Sequence, residues 1–368
     1  MSGTIITLYS NVSNPSTRSS RRTRPPRKKP PSFHESVSPS RLSIPRFVGQ
    51  YQVGGHLGHG GTASVHMAQI GTSKPVALKV FDHSDSATRC RFYDAEVNAS
   101  RAVSSLPGVV GLRGYGIHNL DQDTGYNPLP YIAMDYIQGI TLRALISGRK
   151  SENRPITLPE VINIMMQICY GLEAIRQVRD AAGNDLVYAD VKPENFMLEG
   201  FPQDLLNRPV DQINVKTLDL GALGILMARE KEDGDIASNY RKGSIIGTPT
   251  TLAPEVCFGN RPTIASDVYS CGILLYWLSS KTVPFDFTGI SHLKGFEATA
   301  ALIQKRTMEP LLPLPASLHL SGRRDEMQAL INDMTRRDFA RLRATNGRMH
   351  IDHPSYLEVA QRLEQVGA

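Results

Sequence analysis

The stretch Tyr188-Ala189-Asp190-Val191-Lys192-Pro193-Glu194-Asn195 decides how the rest of this 368-residue chain is read. It spaces an acid, a base two residues on and an amide five residues on, so that all three can face one reacting centre. Asp190 can orient an attacking hydroxyl and accept its proton. Lys192 can neutralise charge on a transferring phosphoryl group, and Asn195 can bind a metal ion. Chance polar loops share this spacing. This one follows a helix predicted over residues 158–178, where Val161, Ile164, Met165, Ile168, Leu172 and Ile175 recur every three or four positions. It precedes a short β-like run, Phe196-Met197-Leu198.

Downstream, Leu218-Asp219-Leu220-Gly221 ends a predicted strand on an acid and a glycine. Mg²⁺, or Mn²⁺ in its place, prefers oxygen ligands, so Asp219 and Asn195 make a candidate metal pair. An isolated Asp-x-Gly is equally a turn former. Upstream, Val76-Ala77-Leu78-Lys79 puts a lysine in an apolar strand. Its ammonium needs a polar destination, either nucleotide phosphates with a helix carboxylate or plain solvent at a strand edge. Glu96 is the nominated carboxylate, with Asp94 as its competitor. Before them lies Leu57-Gly58-His59-Gly60-Gly61-Thr62-Ala63-Ser64-Val65, a glycine-rich turn between two strands. Such a turn lets backbone N–H groups approach phosphate oxygens unobstructed, although glycines also cluster in ordinary hairpins.

The order of these motifs resembles the eukaryotic-type (Hanks-type) serine/threonine protein kinase superfamily over roughly residues 50–365. Gly247-Thr248-Pro249-Thr250-Thr251-Leu252-Ala253-Pro254-Glu255 resembles the end of an activation segment, and Asp267-Val-Tyr-Ser-Cys-Gly272 the start of the long central helix of a large lobe. The resemblance implies an α+β, two-lobed kinase fold, with a small β-rich N-lobe, a larger α-helical C-lobe and an ATP cleft between them. The expected division is a tail over 1–45, N-lobe and hinge over 46–137, and C-lobe over 138–368. It also implies ATP and Mg²⁺ (or Mn²⁺) as cofactors and a protein substrate presenting Ser or Thr. By the same resemblance, Met134 is the gatekeeper and Asp135 to Ile137 the hinge. Leu57, Gly58, Gly60 and Gly61 belong to the phosphate loop, Val65 and Ala77 cover adenine from above, and Met197 covers it from below. Thr248 bonds near the catalytic Asp and Lys. Glu255 pairs with Arg341 or Arg343.

Two departures bear on function. The family's usual His-Arg before the catalytic Asp is Tyr188-Ala189 here, and Ala189 cannot read a phosphate on the activation segment. Activity is therefore expected not to depend strictly on phosphorylation there, with Ser244 beside Arg241 and Lys242 as a candidate autophosphorylation site. Ala63 replaces the last glycine of the usual loop. A pseudokinase or scaffold, and a small-molecule kinase, are the competing readings. The presence of Lys79, Asp190, Asn195 and Asp219 opposes the first, and the Ala-Pro-Glu ending with Lys192 opposes the second.

Composition bounds the remainder. The hydrophobic and charged fractions, 40% and 21%, are those of an ordinary globular protein. No apolar run is long enough for a transmembrane segment. Four cysteines without C-x-x-C spacing suggest neither a zinc site nor a disulfide framework. The net charge of +6 sits on the tail: residues 1–45 carry +7, leaving −1 on the body. A nucleic-acid binder would usually carry that charge on its fold, so no nucleic acid is expected as a partner. The tail, rich in Ser, Pro and Arg, is expected to be disordered. It is suited to docking an acidic partner or to targeting, against the plainer reading of a solvated extension. A cytoplasmic location is expected, or export if the tail is a secretion or transit signal.

Overall fold

Short runs of β-formers punctuated by glycine build the first half of the chain. In the computed structural model, the described residues are 6–7, 41–120, 127–180, 183–207, 213–230, 244–245, 247–286, 290, 293, 295–318, 320–336 and 353–368. The rest of residues 1–40, Arg241, Lys242, Arg341 and Arg343 therefore lie outside the described residues.

A dipeptide strand β1 (Ile6–Thr7) pairs antiparallel with β11 (Ser244–Ile245). The main sheet contains β2 (Phe47–Val48), β3 (Tyr51–His59), β4 (Ser64–Gln69), β5 (Val76–Val80), β6 (Leu112–Asn119) and β7 (Pro128–Asp135), in the order β2-β3-β4-β5-β7-β6 and antiparallel throughout. Helix α1 (Ser86–Val103) crosses from β5 to β6 and is capped by Asp85, whose carboxylate accepts the Thr88 N–H at 2.7 Å. Its first turn carries Arg89, fully buried. That guanidinium donates to the carbonyls of His83, Ser84 and Pro128 at 2.6, 2.9 and 2.8 Å and to Asn127 Oδ1 at 2.7 Å. A buried cation so surrounded fixes where α1 starts relative to the sheet.

The second half is helical, as the periodicity predicts. Strand β8 (Gly139–Thr141) leads into α2 (Leu142–Ser151), and α3 (Leu158–Gln177) follows. Thr157 and Glu160 form a capping box on α3, and Glu160 also accepts the buried Arg149 guanidinium at 3.0 Å. Strand β9 (Phe196–Glu199) pairs with β10 (Asn214–Thr217) on one side and with β8 on the other, giving the order β10-β9-β8. Helix α4 (Pro202–Asn207) lies in the connection between β9 and β10. Then come α5 (Gly221–Glu230), α6 (Pro254–Cys257), α7 (Ile264–Ser280), α8 (Gly295–Met308), α9 (Arg324–Met334) and α10 (Tyr356–Gly367). The largest apolar cluster joins α3, α7, α9 and α10, and every residue of α7 from Ser266 to Ser280 is buried. Among the described residues no helix is long and apolar enough to cross a membrane.

Asp267, in the first turn of α7, is the buried acid of this core. It accepts the N–H groups of Tyr188 and Ala189 at 2.9 and 3.0 Å and the Tyr356 hydroxyl at 3.0 Å. Burial pushes its carboxyl up to about 7, against those three donors. Truncating Asp267→Ala leaves three buried donors without an acceptor, and is expected to cost on the order of 3 kcal/mol in urea unfolding. A carboxyl protonated more readily folded than unfolded adds stability that is complete below about pH 4 and is lost as pH rises through about 7. The drop in urea midpoint between pH 5 and pH 8 should therefore shrink in Asp267→Asn.

Candidate active site

A lysine inside a sheet must be met by carboxylates. Lys79, on β5, donates to both Glu96 oxygens at 2.6 and 2.7 Å and to Asp219 Oδ1 at 3.0 Å. Glu96 comes from the middle of α1 and Asp219 from the turn after β10, so one ammonium ties the sheet, the helix and the C-terminal half. Asp94, the competing acid, is exposed on the other side of the helix. Lys79 and Glu96 side chains are 11% and 4% accessible, and Asp219 keeps 42%. Burial works against the Lys79 ammonium, yet Asp219 and Glu96 outweigh it and raise its pKa. Burial pushes Glu96 up to about 7 against the pull of Lys79. Asp219, where burial acts upward, is nevertheless held down at about 2 by Lys79 and Lys192.

The second centre is Asp190. Its Oδ2 accepts from Lys192 at 2.7 Å and from Asn195 Nδ2 at 2.9 Å, and its Oδ1 from the Thr248 hydroxyl at 2.9 Å. The segment before it is strained: Ala189 has φ +65°, a left-handed conformation that costs a non-glycine residue about 1 kcal/mol. The hydrogen bonds from Tyr188 and Ala189 to Asp267 hold that turn. Tyr188 also donates its hydroxyl to the Leu218 carbonyl at 2.7 Å, one residue before Asp219. Pro193–Asn195 then forms a single 3₁₀ turn, which brings the Asn195 amide back to the Asp190 carbonyl at 2.9 Å.

Both amide hydrogens' acceptors lie on Asp190, so Asn195 presents its oxygen as the remaining ligand atom. Asp219 engages Lys79 and the Gly221 N–H through Oδ1, at 3.0 and 3.2 Å. Oxygen donors of this kind suit Mg²⁺ or Mn²⁺.

Strand register places the residues expected to face a nucleotide. Val65 lies opposite Lys79, Ala77 opposite both Met67 and Met134, and Lys79 opposite Ile132. Directly opposed residues share a face, as do alternate residues along a strand. Val65, Ala77, Lys79 and Met134 therefore project from one face of the sheet. Met197, half-buried, lies on β9 opposite Thr141 and Lys216. The Asp135 N–H donates to the Gly111 carbonyl at 2.9 Å and its carboxylate pairs with Arg113, while Ile137 is buried. Leu57 and Gly58 lie at the end of β3, where the register shifts between His56 and Gly58, and Gly60 and Gly61 lie in the turn to β4, where the Gly60 N–H closes on the Ala63 carbonyl at 2.8 Å.

Three features escaped the sequence reading. Tyr356 reaches Asp267 from the last helix across 89 positions, a separation no local motif signals. Arg41 reaches the glycine-rich turn. Helix α5 begins immediately after Asp219 and packs on α1: a Cβ on Gly224 would sit 2.1 Å from the Ala95 carbonyl oxygen. Its Leu223 and Leu226 are buried. The signal for α5 is present in the Ala-Leu-Gly-Ile-Leu-Met-Ala run of residues 222–228.

The protein kinase domain family matches residues 51–354. The chain is 30% identical over 252 residues to the serine/threonine-protein kinase PknB of Mycobacterium tuberculosis, covering 68% of this chain and 34% of that protein. To serine/threonine-protein kinase PrkC of Bacillus subtilis it is 28% identical over 244 residues, 66% of this chain and 32% of the other. Pkn3 of Myxococcus xanthus, a serine/threonine-protein kinase, is 30% identical over 241 residues, 64% and 39% respectively. The chain spans about a third of the length of the curated relatives it matches. With the two-lobed α+β fold and the ordered motifs, these matches establish that the chain belongs to the protein kinase domain family.

Proposed function

We propose that this chain transfers the γ-phosphoryl group of ATP to serine or threonine hydroxyls of protein substrates. The observation that carries the reading is the convergence of Lys192, Asn195 and Thr248 on the Asp190 carboxylate, with Lys79 held by Glu96 and Asp219 beside it. In this reading residues 46–137 form the N-lobe and hinge and residues 138–368 the C-lobe, with 1–45 as an extension.

The roles follow from chemistry at each atom. Asp190 Oδ1 orients the incoming hydroxyl and takes its proton as the bond to phosphorus forms. Lys192, anchored on Asp190 Oδ2, carries positive charge to the transferring group, and Lys79 carries it to the phosphates nearer the nucleoside. Asn195 and Asp219 would hold Mg²⁺ or Mn²⁺, which neutralises phosphate charge when bound. Val65, Ala77 and Met134 on the sheet face and Met197 below would enclose the adenine, with the backbone of Asp135 to Ile137 at its edge. Lys192 and Thr248 favour a protein hydroxyl over a small-molecule acceptor.

Activation-segment phosphorylation is dispensable in this reading. Ala189 offers no cation for a phosphate. Instead α5 braces α1 directly, with Gly224 permitting the close approach that keeps Glu96 on Lys79.

With labelled ATP, Mg²⁺ and a generic protein acceptor, wild type should label Ser and Thr, and Asp190→Asn should lose on the order of 10²- to 10⁴-fold in rate. Equal labelling by the two proteins would defeat the mechanism. The double variant Ser244→Ala/Thr250→Ala should stay within about two-fold of wild type in kcat/KM. Gly224→Val, which drives a side chain into the Ala95 backbone, should lower kcat/KM for ATP by about ten-fold or more. Unchanged kinetics would remove α5 as the brace.

A further inference from the structure

Residues 41–48 cross the small lobe as a strap. Leu42 and Ile44 pack against the apolar cluster of Val48, Tyr51, Leu78 and Val80. The Leu42 N–H donates to the Asp82 carbonyl at 2.9 Å, and Arg41 makes an antiparallel bridge with His83. So anchored, the Arg41 guanidinium spans two acceptors. Nη1 meets the Asp82 carboxylate oxygens at 2.9 and 3.2 Å, and Nη2 donates to the carbonyl of Gly60, in the glycine-rich turn. The Asp82 side chain is 4% accessible and that of Arg41 32%. The carboxylate is thus a fixed counter-charge, and the planar fork of the guanidinium transmits its position to the turn.

Gly60 is held at both of its polar groups, since its N–H already donates to Ala63. A trans peptide is planar, so the Gly60 carbonyl and the Gly61 N–H point in opposite directions. Fixing the carbonyl on Arg41 fixes that N–H as well. Between two glycines this peptide would otherwise turn over readily.

We infer that Arg41 is a positioning residue for the phosphates of the nucleotide: braced on Asp82, it holds the Gly60–Gly61 peptide in one orientation and so presets a loop N–H as a phosphate donor. The inference rests on the ATP-binding reading above and extends it to a side chain that precedes the family match.

The test compares ATP with adenosine, which lacks phosphates. Losing one hydrogen-bond brace in Arg41→Gln should raise Kd and KM for ATP about three- to ten-fold. The kcat at saturating ATP and the adenosine Kd should hold. Asp82→Asn, which weakens the same brace from its other end, should move ATP affinity in the same direction, and Arg41→Lys should restore only part of it. If Arg41→Gln binds ATP as wild type does, or loses adenosine and ATP equally, the inference is overturned and the kinase reading stands. If wild type binds no ATP, both fall together.

Discussion

An ammonium removed from water has to be met by opposite charge, and in this molecule that requirement organises everything around Lys79. Its partners come from α1 and from the turn after β10, so satisfying one buried cation sets the distance between sheet and helix and between the two halves of the chain. Removing Lys79 would leave the carboxylates of Glu96 and Asp219 facing each other without their cation, the most expensive outcome for such a cluster. Arg89 does comparable work at the start of α1 with carbonyl acceptors, and Arg41 at the turn above the site.

Asp190 has a different support. Its own neighbours in sequence supply Lys192 and Asn195, but the two residues before it are held from α7 by Asp267, and its Oδ1 is met by Thr248. The left-handed Ala189 turn shows why that outside support is needed. Ala189 stands where the family usually has an arginine, and α5 packs closely on α1 at Gly224.

The parts legible in the sequence were those whose chemistry is local or ordered along the chain. Lys192 and Asn195 lie within five residues of Asp190, and Lys79 announces itself as a charge in an apolar strand. The long buried helices α3 and α7 follow from periodicity and caps. The choice between Glu96 and Asp94 needed the helix phase relative to the sheet, which composition alone does not set. Tyr356, Arg41 and the Gly224 contact were hidden for a common reason. Each is a meeting between surfaces distant in sequence, and nothing in the residues on either side encodes the partner. Helix α5 was missed because its small and apolar residues read equally well as a loop covering the cleft.

The hydrogen bond from Tyr356 to Asp267 has a consequence for how the protein is made. A ribosome that has translated both lobes up to residue 355 has already supplied every side chain that touches the proposed reactants. The acid under the Asp190 turn still lacks its third donor, and the helix that closes the apolar core below it is missing. Completion of the site is thus tied to synthesis of α10, and a nascent chain stalled before that helix holds its reactive residues without the foundation that sets them.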